Sequence, residues 1–248
     1  MLTYNGASYT WMGRELRKIT NGSNTYSYKY NADGIRTSKT VNGTTTEFFL
    51  NGTQILAQKT GDTVMRFFYD STGKRVGFAN GTMLFYYLYN VQGDVIAIVR
   101  AATGQIVAKY SYDAWGNCTV TNAAGYAVGD KNPFRYRGYY YDTETGLYYL
   151  NSRYYSPEFG RFINVDSELA GVGGNTQGYN LFAYCFNNPV NMSDLDGNWT
   201  KWLTGALNVL SGTLQMAAGS ALGAAMGWTG FGACLLYTSP SPRDLSTS

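Results

Sequence analysis

Three arginines and a scatter of aspartates are the side chains whose spacing could do chemistry. Arg135, Arg137 and Arg153 alternate with Tyr136, Tyr139–Tyr141 and Tyr154–Tyr155. Such a pattern can bind phosphate on guanidinium groups while bases stack on the rings, as single-stranded nucleic acid requires. It can equally be cation–π packing inside a folded body. The run Asp194-Leu195-Asp196-Gly197 reads as a turn, with Asp accepting backbone N–H bonds and Gly at φ > 0. Other chemistries are closed off. With no histidine in 248 residues, no Ser-His-Asp or Cys-His set, His-ligated zinc site or His-dependent nuclease centre can be built. Cys118, Cys185 and Cys234 stand far apart without a Cys-x-x-Cys pair, so no metal site, redox pair or cofactor is expected. A net charge of +3 is too weak to call for nucleic acid as a partner.

The elements that must position these residues are short strands. Charged residues make up 14% of the chain, while Gly (30) and Tyr (23) are abundant, a composition of strands and tight turns. One unit recurs: Tyr, then Asp or Asn, two free residues, then Gly. It stands at Tyr30–Gly34, Tyr69-Asp70 to Gly73, Tyr89–Gly93 and Tyr112-Asp113 to Gly116. A fifth copy, Tyr141-Asp142, has its Gly one residue later, at Gly146. The tyrosines are spaced 39, 20, 23 and 29 residues apart, which suits hairpins of variable length better than a strict solenoid. In each unit Tyr ends a strand, Asp or Asn opens the turn, and Gly supplies the left-handed backbone that closes it. Alternating runs such as Asp94–Val99 and Gln105–Tyr110 follow, and Asn-Gly pairs at 21–22, 42–43, 51–52 and 80–81 mark further hairpins. The predicted fold is mainly β, an antiparallel sheet.

The repeat and the segment behind it resemble the Rhs (rearrangement hotspot) or YD-repeat family. The resemblance rests on Asn132-Pro133-Phe134-Arg135-Tyr136-Arg137-Gly138-Tyr139-Tyr140-Tyr141-Asp142, then Leu147–Pro157 with Arg153-Tyr154-Tyr155 inside it, Gly160-Arg161-Phe162, and Asn187-Asn188-Pro189. It implies a YD-repeat sheet over 1–122, part of a hollow β-shell, and an Rhs repeat-associated core domain over 123–198 that plugs it. Residues 199–232 would begin a variable, helical pre-toxin region. The function implied is encapsulation and delivery of a C-terminal polymorphic toxin in competition between bacteria, as in wall-associated and Tc-toxin C-component proteins. Partners would be the chain's own toxin segment as cargo and an immunity protein. The arginine–tyrosine motif belongs to the core signature, which favours packing over nucleic acid binding. A sheet wetted on both lumen and outer face would carry Tyr, Thr, Ser and Asn rather than Leu and Ile, and the sequence fits that expectation. Closure into a shell leaves no free edge.

Cleaving members of the family use an aspartyl-protease-like arrangement near Pro-x-x-x-x-Asp-Pro-x-Gly-Leu. Pro189, Asp194 and Gly197 match it; Leu195 and Asn198 replace the second Pro and the last Leu. The resemblance puts Asp166 at the upstream acidic position. Asp166 and Asp194 are the candidate catalytic pair, Asp196 the reserve, and Arg161 the supporting cation. Two carboxylates close together split their pKa values, so one activates water while the other keeps its proton.

The composition changes after Asn198: no charged residue lies between Trp202 and Pro242, and Gly219, Gly223 and Gly227 form a small-residue stripe. That segment reads as an apolar helical hairpin with transient membrane contact through 203–232, or as a helix packed on an inner wall. Residues 233–248 resemble a translated sequencing adapter and are set aside from fold reasoning. No signal peptide follows Met1. The family implies a secreted or cell-surface protein, so the expected N-terminus with its export signal lies further upstream and the toxin is truncated. Two rival readings are an aspartyl autoprotease that releases cargo near Asn198, and a YD-repeat adhesin that binds surface glycans.

Overall fold

The computed structural model describes residues 3–4, 6–165, 180–194, 197 and 201–202. Thirteen strands follow one another across a single antiparallel sheet in strict chain order. They are β1 (Thr3–Tyr4), β2 (Ala7–Met12), β3 (Glu15–Asn21), β4 (Asn24–Tyr30), β5 (Arg36–Val41), β6 (Thr44–Asn51) and β7 (Gln54–Thr60). Then come β8 (Thr63–Tyr69), β9 (Arg75–Asn80), β10 (Met83–Tyr89), β11 (Val95–Arg100), β12 (Ile106–Tyr112) and β13 (Cys118–Asn122). We call this sheet the wall. A short helix α1 (Val128–Lys131) leads into a second sheet of four strands, the plug: β14 (Tyr140–Asp142), β15 (Leu147–Leu150), β16 (Arg153–Ser156) and β17 (Arg161–Phe162). A two-stranded ribbon, β18 (Met192–Ser193) with β19 (Lys201–Trp202), completes the described strands.

Alternation explains the wall. In β8, Met65 and Phe67 are buried while Arg66 and Phe68, which alternate with them, are exposed. The same two-residue period runs through β6 and β10, so one face of the wall is apolar and the other faces solvent. The plug's strands behave differently. Leu147–Leu150 and Arg153–Ser156 are buried at every position, as strands covered on both faces must be.

One hydrophobic core joins the two sheets. From the wall it takes Leu16, Ile19, Phe48, Phe67, Phe78 and Phe85; from the plug side it takes Phe134, Tyr140, Tyr149 and Tyr154. Rings meet edge to face across the seam: Phe67 on Phe134 at 4.8 Å and Phe48 on Tyr140 at 5.4 Å. Each such pair contributes about 0.5–1.5 kcal/mol beyond the area it buries. The expectation of a wall wetted on both faces therefore fails over this stretch. The inner face is buried where the plug covers it, and Tyr, Phe, Leu and Ile share the work. A second cluster behind the plug sheet gathers Tyr136, Tyr148, Tyr155, Phe162, Tyr184 and Cys185. Apart from Lys201–Trp202, the anticipated helical tail (199–232) and the residues beyond it lie outside the described residues.

Candidate functional site

The repeat is a hydrogen-bonding module. In its first four copies the Asn or Asp Oδ1 accepts two backbone N–H groups, two and four residues on. For Asp70 these are Thr72 (2.9 Å) and Lys74 (3.0 Å); for Asn90, Gln92 (3.0 Å) and Asp94 (2.9 Å); for Asp113, Trp115 and Asn117 (both 2.9 Å). Asn31 does the same for Asp33 and Ile35. The Tyr hydroxyl donates to a backbone carbonyl of an earlier strand: Tyr30 to Leu16, Tyr69 to Ile55, Tyr89 to Arg75 and Tyr112 to Val95, all within 2.9 Å. Each Tyr also pairs across the hairpin with the residue six on, as in Tyr30↔Arg36 and Tyr69↔Arg75, with a β-bulge beside it in the first three copies. Gly34, Gly73, Gly93 and Gly116 all hold φ between 75° and 93°, as the motif requires.

The fifth copy breaks the pattern. Asp142 is fully buried and receives a bidentate salt bridge from Arg36 at 2.6 and 3.1 Å. Lys39 Nζ reaches Asp142 and Glu144 at 2.9 Å each. Burial alone would raise the Asp142 carboxyl, but Arg36 and Lys39 outweigh it and hold it below the ordinary carboxylate range. Arg36 also lies over the rings of Tyr149 (4.2 Å) and Tyr140 (5.0 Å), and its backbone N–H donates to the Tyr149 hydroxyl. Arg36 and Asp142 stand 106 residues apart in the chain. Their meeting joins wall to plug.

Arg36 and its repeat equivalent Arg75 were absent from the sequence-derived candidates. The signal was present: each follows its turn glycine by two residues, extending the motif to Tyr-Asp/Asn-x-x-Gly-x-Arg. Arg75 lies over Phe134 at 3.1 Å and donates to the Gly138 carbonyl at 3.2 Å, again wall to plug.

The three plug arginines are packed inside. Arg135, Arg137 and Arg153 are all nearly inaccessible, with Arg135 over Tyr141 (4.5 Å) and Arg153 over Phe162 (3.6 Å). Arg137 stands over Tyr136, donates to the Pro189 carbonyl (2.5 Å), and its backbone N–H donates to Asp94 (2.8 Å). Buried rings and guanidinium groups offer no stacking platform to a nucleic acid.

Asp194 sits at the end of this arginine set, fully buried. Arg153 Nη2 donates to its carboxylate at 2.8 Å, and the Gly197 N–H donates to its other oxygen at 2.9 Å. The Gly197 carbonyl accepts from the Ser152 hydroxyl (2.8 Å) and from Arg153 Nε. A side chain at 197 would collide with the Leu150 carbonyl, and its φ of +75° also favours glycine. The cation found on Asp194 is thus Arg153. Arg161 is exposed on β17, paired through its backbone with Ser156. The Gly197 carbonyl is held by the same Arg153 that holds Asp194, and the Pro189 carbonyl by Arg137. Asp166, Asp196 and Asn198 lie outside the described residues. Among the described residues no cluster of His, Cys, Asp and Glu could hold a metal ion.

A family model, the teneurin YD-shell, matches residues 51–190, from the seventh wall strand's approach through the plug to Val190. The chain belongs to the YD-shell family. The chain spans only 8–9% of the length of the WapA proteins it matches. The tRNA nuclease WapA of Bacillus subtilis (strain 168) is 41% identical over 204 residues, covering 79% of this chain and 8% of that protein. The toxin protein Tse5 of Pseudomonas aeruginosa is 45% identical over 65 residues, covering 26% of this chain and 5% of that protein. Among solved structures, the TcdB2–TccC3 crystal structure aligns with a TM-score of 0.59 at 23% identity, over 78% of this chain and 10% of that one. The pore form of the Photorhabdus luminescens Tc holotoxin gives 0.58 at 22% identity, over 79% of this chain and 10% of that one. At such identity the structures establish a shared fold. The two sheets described here are therefore part of a YD-shell, and they share their fold with the TccC3-containing structures.

Proposed function

We propose that this YD-shell segment is the closing end of a container that holds a C-terminal toxin within its own polypeptide until delivery. The observation that carries the reading is the buried aromatic seam between wall and plug, locked by Arg36, Lys39 and Asp142. A barrier that keeps a toxin from its producer must exclude water and have no easy way to slide open. A bidentate buried pair inside a ring-packed core supplies both. In this reading the cargo is the sequence after the plug, an immunity protein guards the producer, and the protein works outside the cell or on its surface. The test is protection. In the intact full-length protein, sequence beyond residue 198 should resist trypsin until denaturant is added, and D142N should make it cleavable under native conditions. Cleavage of that sequence in the native wild-type protein would refute the container.

A second reading, self-cleavage near Asn198 by Asp194 with Asp166, is favoured by the clamp on Gly197, whose carbonyl accepts two hydrogen bonds beside the buried Asp194. Mass spectrometry of the expressed chain decides it. Self-cleavage predicts a species ending near residue 198 that disappears in D194N and D166N. An intact wild-type chain rules it out.

A further inference from the structure

Arg36 and Arg75 occupy the same position of successive long repeats, two residues after the turn glycine and paired across the hairpin with the repeat Tyr. Both reach from the wall onto plug rings. Their charge balance differs. Arg36 has a carboxylate on both terminal nitrogens. Arg75 is held by two neutral oxygens, the Tyr69 hydroxyl at 3.3 Å and the Gly138 carbonyl at 3.2 Å. Where Asp142 stands over Arg36, a cleft of about 390 Å³ opens over Arg75.

That cleft is lined by Lys74, Arg75 and Arg137, and no carboxylate among the described residues lines it. Arg137 has its Asp94 contact behind it at 3.8 Å, and its buried Nε has no hydrogen-bond partner. Lys74 is exposed and lies over the Tyr89 ring at 4.7 Å. Asp70, whose carboxyl is lowered first by the Thr72 hydroxyl and only last by Lys74, is occupied in its own turn. The cleft thus offers two cations, Lys74 and Arg75, at a mouth walled by tyrosines. Its volume lies in the range of small-molecule sites and is larger than a bare inorganic anion needs.

We propose that this cleft binds a small ligand carrying a phosphate monoester on a ring, a sugar phosphate or a nucleoside monophosphate. Two cations without a carboxylate match a dianion, and a phosphate monoester carries about −1.5 to −2 charge at neutral pH. Planar Arg75 grips two phosphate oxygens as Arg36 grips two carboxylate oxygens. The tyrosine walls receive the ring. The cleft opens on the wall–plug seam, but the proposal does not rest on the container reading, and its failure would leave that reading intact.

Calorimetric titration of the 248-residue chain with AMP, ribose 5-phosphate, inorganic phosphate and adenosine tests the proposal. AMP and ribose 5-phosphate should saturate one site, with adenosine and inorganic phosphate at least about tenfold weaker. R75Q should weaken AMP by roughly tenfold or more. K74Q, an exposed change that leaves the wall–plug contacts in place, should weaken it as well, with an unchanged circular dichroism spectrum and melting temperature. Absence of saturable binding by either phosphate ester at roughly millimolar concentration would overturn the proposal. So would AMP binding that K74Q leaves unaltered. Binding of all anions alike, inorganic phosphate included, would reduce the cleft to an unspecific cationic patch and also defeat it.

Discussion

Asp142 is the residue on which the wall–plug contact turns. It has no solvent access and faces two cations, so removing its charge strands Arg36 in the core and leaves Lys39 with Glu144 alone. D142N should lower the unfolding free energy by about 3–5 kcal/mol, measured by urea denaturation. The pH dependence has a definite sign. A carboxyl held below its unfolded value of about 3.9 contributes stability that is present above that pH and is lost as pH falls through the folded value. Wild type should therefore lose stability steeply below about pH 4, and D142N should lose less over the same interval. Tyrosines set the opposite limb. Burial pushes Tyr89, Tyr136 and Tyr149 up to about 12. An unfolded phenol ionises near 10, so stability present below about pH 10 drains away as pH rises toward 12. Absorbance at the phenolate band should show a delayed titration that collapses to the ordinary value in denaturant.

At the scale of elements, the repeat turns are legible because each is local: Tyr, Asp or Asn, and Gly meet within five residues, and the bonds that the Asp or Asn side chain accepts come from the next four residues. The Arg36–Asp142 pair was not legible, because it joins residues 106 apart and only the folded wall brings them together. Asp142 was read as one more turn residue on its motif; its neighbour across the seam changed its role. The covered inner face is not legible either. Abundant tyrosine suggests a wetted sheet, whereas Tyr28, Tyr87, Tyr149 and Tyr154 bury their rings. Several of their hydroxyls find partners, as Tyr87 does in Asn132 at 2.7 Å and Tyr154 in Tyr30 at 2.8 Å. At Asp194 the turn reading and the signature reading both find the residue, and the folded chain adds Arg153 to its carboxylate. Glycine substitutions separate two kinds of turn. Gly73→Ala meets only the flexible Gln54 side chain and should cost about 1–2 kcal/mol for its left-handed backbone. Gly116→Ala adds a clash with the Tyr136 ring at 2.6 Å and should cost distinctly more. Thermal denaturation of the two variants checks the order.

For the molecule as a whole, the described sheet is open, with β1 at one edge and β13 at the other. Strand edges and exposed apolar side chains both favour association. Phe49, Phe68, Tyr86 and Leu88 on the outer face are 41–50% exposed. Sedimentation of the isolated chain should show concentration-dependent oligomers; a monodisperse monomer at all concentrations would argue that the edges are covered. The central claim is that wall and plug form one cooperative body across a shared core. Hydrogen exchange read by mass spectrometry tests it most directly. Amides of β6–β9 and of β14–β16 should share one opening free energy in wild type and fall together in D142N. Plug amides that exchange while wall amides stay protected, in the wild-type chain, would contradict the account.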